Sequence, residues 1–180
     1  ALKVYALKTS PAFEAALFSG IRLAGDAQPY RDAIRKFSRN MGVAFQILND
    51  LGDWCGDETN KLSAGGDVFG GRPTILWALA LQALSPEKQR ELLTLGSPDC
   101  DVNERERLAR VRRLYESAGV FETALQLVDK HQARAEQVAD EIQPDALRRL
   151  LYFLVDTVLE RPELPAPSVV SIGMASPASS

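Results

Sequence analysis

Residues 37–55, FSRNMGVAFQILNDLGDWC, decide the fold class of this chain. Their apolar side chains recur in steps of three and four, which is the spacing of a helix that buries one face. These side chains are Phe37, Met41, Ala44, Leu48, Leu51 and Cys55. The pattern predicts one long helix from about Tyr30 to Cys55, with this stripe facing a protein core.

The rest of the chain repeats this helical character. Ala and Leu dominate, and alternating β-branched runs are scarce, so we predict an all-α protein. Upstream, we expect a first helix to end near Lys8 and Thr9, and Ser10 and Pro11 to begin a second one that ends near Leu23. Downstream, we expect helices over about 73–84, 86–95, 103–118, 120–143 and 145–160.

Composition excludes several classes of function. Lys and Arg number 21 against 24 Asp and Glu, so the net charge of −3 gives no basic surface for nucleic acid or an anionic membrane. No apolar run reaches the roughly 20 residues that cross a bilayer. Cys55 and Cys100 are too few for a disulfide framework, and we expect a reducing, cytoplasmic location.

The chain is expected to contain one folded unit and a tail. Residues 1–160 form the folded unit, whereas residues 161–180 are rich in Pro, Ser and Ala, which favours disorder. The chain starts at Ala1 directly in apolar sequence, so we expect Ala1 to be a cut rather than a natural start. Helices separated from their partners by such a cut would leave apolar stripes exposed.

One side of the long helix is polar. Gln46, Asn49, Asp50 and Asp53 occupy positions i, i+3, i+4 and i+7, roughly opposite the apolar stripe. Carboxylates are unfavourable near the carboxyl end of a helix because the helix dipole is already negative there. A cation would relieve this repulsion, and oxygen ligands in this number suit Mg²⁺. On spacing alone, a solvated helix end remains the alternative.

A glycine-rich segment over residues 56–72 follows this polar face and carries Lys61, Asp67 and Arg72. Lysine offers a mobile charge and arginine a planar fork for phosphate oxygens, while glycines let the backbone approach a ligand closely. With the polar face, the segment predicts a diphosphate site bridged by a metal ion. Judged alone, the segment is more typical of a flexible surface loop with incidental charges.

Two other phosphate or metal motifs fail at particular positions. Residues 66–73 nearly fit a nucleotide-binding P-loop, but Arg72 replaces its lysine and Pro73 its hydroxyl residue, and no strand is predicted before it. A calcium-binding EF-hand loop beginning at Asp50 or Asp53 would lack the terminal glutamate.

Several elements together resemble the C-terminal half of the trans-isoprenyl diphosphate synthases, also called polyprenyl synthetases. The matching elements are Lys8-Thr9, Phe45-Gln46, Asn49-Asp50-Leu51-Gly52-Asp53, and Lys61 through Gly66-Asp67 to Gly71-Arg72-Pro73-Thr74. Their order and spacing agree over about residues 1–75. The resemblance implies the all-helical class I terpenoid synthase fold. It also implies a Mg²⁺-dependent polyprenyl or geranylgeranyl-type diphosphate synthase that condenses an allylic diphosphate with isopentenyl diphosphate.

The resemblance further implies which residues form the site. The metal ligands would be Asn49, Asp50, Asp53 and Asp67. The diphosphate would be held by Lys8, Lys61 and Arg72. Thr9 and Gln46 would join Lys8 in catalysis by placing oxygen dipoles near the carbocation. We also expect the active protein to be a homodimer.

Two features depart from the family pattern. Asn49 stands where the family usually has an aspartate, and its neutral carbonyl would hold Mg²⁺ less strongly than a carboxylate. The family's first aspartate-rich motif belongs to the half that precedes Ala1. A non-catalytic regulatory or binding subunit is therefore an alternative. A class I terpene cyclase is less favoured, because Lys8-Thr9 and residues 61–74 resemble the elongating enzymes.

Overall fold

The computed structural model describes residues 1–55, 68, 72 and 74–162. Its helices are α1 (Leu2–Ala24), α2 (Arg31–Gly52), α3 (Ile75–Ala83), α4 (Pro86–Gly96), α5 (Glu104–Ser117), α6 (Val120–Asp140) and α7 (Asp145–Val158), with a short 3-10 helix at Gln28–Tyr30. The described residues contain no strand, so the all-α prediction is confirmed. The predicted tail lies outside them from residue 163 onward.

Helix α2 lies at the centre of the fold because α1 packs along one side of it and α6 along another. The predicted stripe is confirmed, since Phe37, Met41, Ala44 and Leu51 have no exposed surface. However, α2 also buries side chains away from that stripe, among them Ile47 and Asp50. A solvated helix end therefore does not describe the position of Asp50.

Helix α1 runs without interruption from Leu2 to Ala24, so the predicted break between Thr9 and Ser10 is wrong. Pro11 lies inside the helix, where it removes one backbone hydrogen bond at a local cost of about 3 kcal/mol. The helix packs along α2 on both sides of this proline, burying Tyr5 in its first half and Leu17 in its second. This shared packing keeps the two halves in one helix.

The backbones of α1 and α2 approach closely where Ser10 lies beside Gly42. A Cβ atom built on Gly42 would lie 2.7 Å from Ser10 Oγ and 2.8 Å from the Ser10 backbone nitrogen. The Ser10 hydroxyl donates to the Arg39 carbonyl over 3.5 Å. Nearby, the rings of Phe13 and Phe45 meet edge-on with their centroids 6.1 Å apart. Gly42 thus permits the spacing of the two helices that carry much of the predicted site.

On another side of α2, a histidine joins α6 to the helix. His131 Nδ1 lies 2.9 Å from Asn40 Oδ1. Burial lowers the pKa of His131 below its ordinary value, and the positive charges of Arg134, Lys130 and Arg39 lower it further. These effects favour a neutral imidazole whose Nδ1–H donates to Asn40. The side chain therefore contributes to helix packing.

An apolar stripe on α1 is exposed. Val4 is 61% and Leu7 78% exposed, and Pro11 and Ala15 continue the same face at exposed positions. Among the residues that the structure describes, no helix has the length and apolar character needed to cross a membrane.

Candidate active site

A hydroxyl group from α1 reaches both α2 and the start of α3. The Tyr5 hydroxyl donates to Asp50 Oδ2. It also accepts a hydrogen bond from the Ile75 backbone N–H over 2.7 Å. The same N–H lies 3.1 Å from Asp50 Oδ2. Because all three residues are buried, one carboxylate oxygen and one hydroxyl join three helices inside the protein.

This junction orients the face of α1 that carries two predicted site residues. Lys8 and Thr9 follow Tyr5 at i+3 and i+4, so the three side chains share one face of the helix. Lys8 is exposed, whereas Thr9 is half-buried. Since Tyr5 is bonded to Asp50, this face of α1 turns towards the polar face of α2.

The polar face of α2 contains side chains in two different environments. Asp50 is buried and Gln46 is half-buried, while Asn49 and Asp53 are exposed. Asp53 directly follows the last residue of α2, and its backbone N–H donates to the Asn49 carbonyl over 3.1 Å. Asn49 and Asp53 therefore lie about one turn apart on the accessible part of this face.

The start of α3 links Arg72 to the same junction. The Thr74 N–H donates to the Arg72 carbonyl over 2.9 Å. The Thr74 side chain then caps α3 by accepting from the Trp77 N–H over 3.2 Å. A hydrogen bond also joins Thr74 to Tyr115, whose pKa is raised above its ordinary value chiefly by burial. Arg72 itself is exposed, two residues before the cap.

Part of the predicted site lies outside the described residues. Lys61 and Asp67 belong to that part, so their roles stay predictions. Within residues 1–55 and 74–162, and at 68 and 72, no three His, Cys, Asp or Glu side chains are grouped as a metal site. Asn49 and Asp53 do offer one amide and one carboxylate oxygen at exposed positions. That donor set suits Mg²⁺ held largely by a bound diphosphate and water, because this ion commonly takes one or two carboxylates from the protein. Asp50, also predicted as a ligand, is buried and accepts from Tyr5 and from the Ile75 N–H, so its role at a metal stays a prediction.

Sequence reasoning missed Tyr5 and Tyr115. Tyr5 lies in an apolar stretch, where an aromatic residue is ordinarily part of the core. Its distance of three residues from Lys8 was the available signal, since this places both on one helix face. No comparable signal marked Tyr115, which is separated from Thr74 by 41 positions in the chain and meets it only through the packing of α5.

Comparisons with known proteins place the chain in a family. The family model for polyprenyl synthetase matches residues 2–114. A short chain isoprenyl diphosphate synthase of Methanothermobacter thermautotrophicus is 30% identical over 157 residues, which are 86% of this chain and 46% of that protein. This chain thus spans about half the length of the curated relatives it matches.

Solved structures give the same result. A polyprenyl synthase from Caulobacter crescentus CB15, complexed with calcium and isoprenyl diphosphate, aligns with a TM-score of 0.75 and 26% identity over 89% of this chain and 49% of that one. A geranylgeranyl pyrophosphate synthase from Corynebacterium glutamicum, complexed with isoprenyl diphosphate and magnesium, aligns with a TM-score of 0.64 and 27% identity over 77% and 39%. The predicted class I terpenoid helical fold is confirmed. The chain belongs to the polyprenyl synthetase family.

Proposed function

We propose that this chain supplies part of the active site of a trans-prenyltransferase that joins an allylic diphosphate to isopentenyl diphosphate. The observation that carries this proposal is the junction of Tyr5, Asp50 and Ile75. It turns the Lys8 face of α1 towards the polar face of α2, and it includes the start of the helix that follows Arg72. Family membership supports the same reaction.

The chain's own cations suit a departing diphosphate. When the allylic carbon–oxygen bond breaks, the diphosphate leaves with the electron pair and gains negative charge. Lys8 and Arg72 are both exposed and cationic, and they would bind these oxygens. Mg²⁺, held by Asn49 and Asp53, would add Lewis-acid stabilisation of the leaving group when bound.

The half-buried polar groups suit the carbon centre. Thr9 and Gln46 lie on the facing sides of α1 and α2, where neither is fully open to water. Their oxygen dipoles would stabilise the allylic cation until the double bond of isopentenyl diphosphate attacks it. A carbon–carbon bond forms in that step, and loss of a proton restores a double bond. Exclusion of water protects the cation from hydrolysis.

The test uses the full-length protein with Mg²⁺, dimethylallyl diphosphate and radiolabelled isopentenyl diphosphate, and it measures elongated diphosphate by chromatography. We expect Lys8→Ala to lower kcat/KM by about 100-fold, as for the loss of a charged contact to the leaving group. Lys3→Ala is the matched control, because Lys3 is exposed on another face of α1. Full-length protein that binds both substrates with Mg²⁺ but never elongates them would contradict the proposal.

A second candidate function is a non-catalytic subunit of a prenyl synthase. Asn49 favours it, because this exposed position one turn before Asp53 carries no charge. Asn49→Asp separates the two candidates. A large gain from almost no turnover would indicate a decayed site, whereas little change would indicate that asparagine works as a ligand.

Other expectations also stay predictions. A terpene cyclase would release inorganic pyrophosphate from a longer allylic diphosphate, such as geranyl diphosphate, without consuming isopentenyl diphosphate. Measuring pyrophosphate release from that substrate alone, beside the elongation assay, distinguishes it. The homodimer can be tested by sedimentation of the full-length protein, and the cytoplasmic location by cell fractionation.

A further inference from the structure

We propose that Tyr5 is a positioning residue of this site, whose hydroxyl fixes the relative placement of the three elements that hold the diphosphate. The inference rests on the proposed function and adds a residue to it. Tyr5 would touch neither substrate nor metal. It would act through the groups that it bonds.

The first argument is the connectivity of the hydroxyl. It donates to Asp50 Oδ2 on α2, and it accepts from the Ile75 N–H at the start of α3 over 2.7 Å. Tyr5 itself belongs to α1 and is only 7% exposed. A hydroxyl has one proton to donate and lone pairs to accept, so this arrangement uses it in both directions.

The second argument concerns the start of α3. The first backbone N–H groups of a helix have no partner within the helix, and Ile75 is the first residue of α3. Tyr5 and Asp50 accept from that N–H, while the Thr74 side chain accepts from the Trp77 N–H two residues further on. The Thr74 N–H donates to the Arg72 carbonyl, and Thr74 directly precedes Ile75. The hydrogen bonds of Tyr5 and Asp50 to Ile75 therefore also help to position the backbone of Arg72.

The third argument concerns the rotation of α1 about its axis. Lys8 and Thr9 share a face with Tyr5, so a bond that holds Tyr5 against α2 also determines where these two side chains point. Without the hydroxyl, apolar packing would still hold α1 on α2. Such packing is less directional than a hydrogen bond to a carboxylate, and displacements of about 1 Å can strongly slow a reaction that depends on aligned groups.

Two variants serve as controls for the Tyr5→Phe substitution. Tyr152→Phe removes the same hydroxyl from a tyrosine–aspartate pair on the surface, where Tyr152 donates to Asp140 over 2.6 Å. Val155→Ala removes buried apolar volume from α7, a helix that packs on α6. It therefore lowers stability without touching the junction.

The experiment measures three quantities for the full-length wild-type protein and each variant. The first is Tm without ligand, the second is the Kd for inorganic pyrophosphate in the presence of Mg²⁺ by calorimetry, and the third is kcat and KM for elongation. For Tyr5→Phe we expect pyrophosphate affinity or kcat to fall by about tenfold or more, with KM for isopentenyl diphosphate changed less than kcat. For both control variants, the pyrophosphate Kd and kcat should stay within about twofold of the wild-type values. This should hold for Val155→Ala even if its Tm falls as much as that of Tyr5→Phe, or more.

A double variant tests whether Tyr5 acts through Asp50. In an Asp50→Asn background, Tyr5→Phe should add much less than its effect in the wild-type protein, because the two residues form one unit. Fully additive effects would overturn this connection. Equal losses of function in Tyr5→Phe and in Val155→Ala at matched Tm would overturn the positioning role itself.

Failure of the proposed function is distinguishable from failure of this inference. If the wild-type protein binds Mg²⁺ and pyrophosphate but does not elongate, the proposed function fails, and the pyrophosphate affinity of Tyr5→Phe still decides the role of Tyr5. If the wild-type protein neither binds nor elongates, both are overturned.

Discussion

The substitution Gly42→Ala is expected to force α1 away from α2. A Cβ atom at position 42 would lie 2.7 Å from Ser10 Oγ, 2.8 Å from Ser10 N and 3.0 Å from Ser10 Cα. Two of these atoms belong to the backbone, so a change of side-chain rotamer cannot relieve the overlap. The helices must separate by about 0.6 Å before the 2.8 Å distance reaches the 3.4 Å of an ordinary contact.

Two opposing effects determine the magnitude. Replacing glycine by alanine within a helix ordinarily stabilises it by about 0.5–1 kcal/mol. Overpacking of a closely packed contact costs about 1–3 kcal/mol. Because the overlap involves backbone on a helix that packs along much of α2, we expect the second effect to dominate. The free energy of unfolding should fall by about 1–2 kcal/mol.

Gly20→Ala is the matched control. Gly20 also lies within a helix, but a Cβ atom there would meet nothing within 4 Å. This variant should be more stable than wild type by about 0.5–1 kcal/mol. Urea unfolding of the full-length protein, followed by circular dichroism at 222 nm, measures both variants.

A further variant tests whether the backbone overlap is the cause. Ser10→Ala removes the hydroxyl but leaves the backbone nitrogen and Cα in place. Most of the cost of Gly42→Ala should therefore persist in that background. The reasoning is refuted if Gly42→Ala is as stable as Gly20→Ala, or if Ser10→Ala restores full stability.

Two other predictions concern an arginine and a histidine away from the site. Arg107 is buried and donates to the carbonyls of Leu95 and Ser97 at the end of α4, so Arg107→Met should lower the free energy of unfolding by about 2–3 kcal/mol, whereas the exposed Arg105→Met should change it little. The pKa of His131 is lower in the folded protein than its ordinary value, chiefly through burial. As pH falls, His131 is therefore protonated at a higher pH in the unfolded chain than in the folded protein, so the free energy of unfolding should fall as pH drops through about 6.5. Unfolding curves at pH 7.5 and 5.5 measure this dependence, which His131→Gln should reduce.

Helices with a clear buried stripe could be predicted from the sequence. A helix that continues through a residue that locally favours a helix end could not. The buried side chains of α2 recur at helical spacing because each faces the interior, as Phe37, Met41 and Leu51 do, so this spacing predicts α2. Ser10-Pro11 has the local form of a helix start, yet α1 continues through it. Proline's local cost is visible in sequence, whereas the packing against α2 that compensates for it depends on the assembled fold.

The site could be predicted as a set of residues but not as an arrangement. Helical spacing placed Asn49, Asp50 and Asp53 on one face. Spacing cannot reveal that α1 covers Asp50 while leaving its two neighbours exposed, since that depends on the level and angle at which two helices cross. The hydrogen bond from Tyr5 spans 45 positions in the chain and follows from the same crossing.

This division of the polar face bears directly on Asn49. Asp50 is engaged by the Tyr5 hydroxyl and the Ile75 N–H inside the protein, whereas Asn49 is exposed. A carboxylate at position 49 would thus change the charge offered to a metal without altering the donors to Asp50. Because Asp50 and Asn49 lie in different environments, the charge of the exposed metal ligands can be changed without breaking the hydrogen bonds that join the three helices. Asn49→Asp should therefore raise Mg²⁺ affinity, while its added carboxylate near the end of α2 lowers the Tm of the metal-free protein and Mg²⁺ restores it. Tyr5→Phe should instead lower both the Mg²⁺ affinity and Tm.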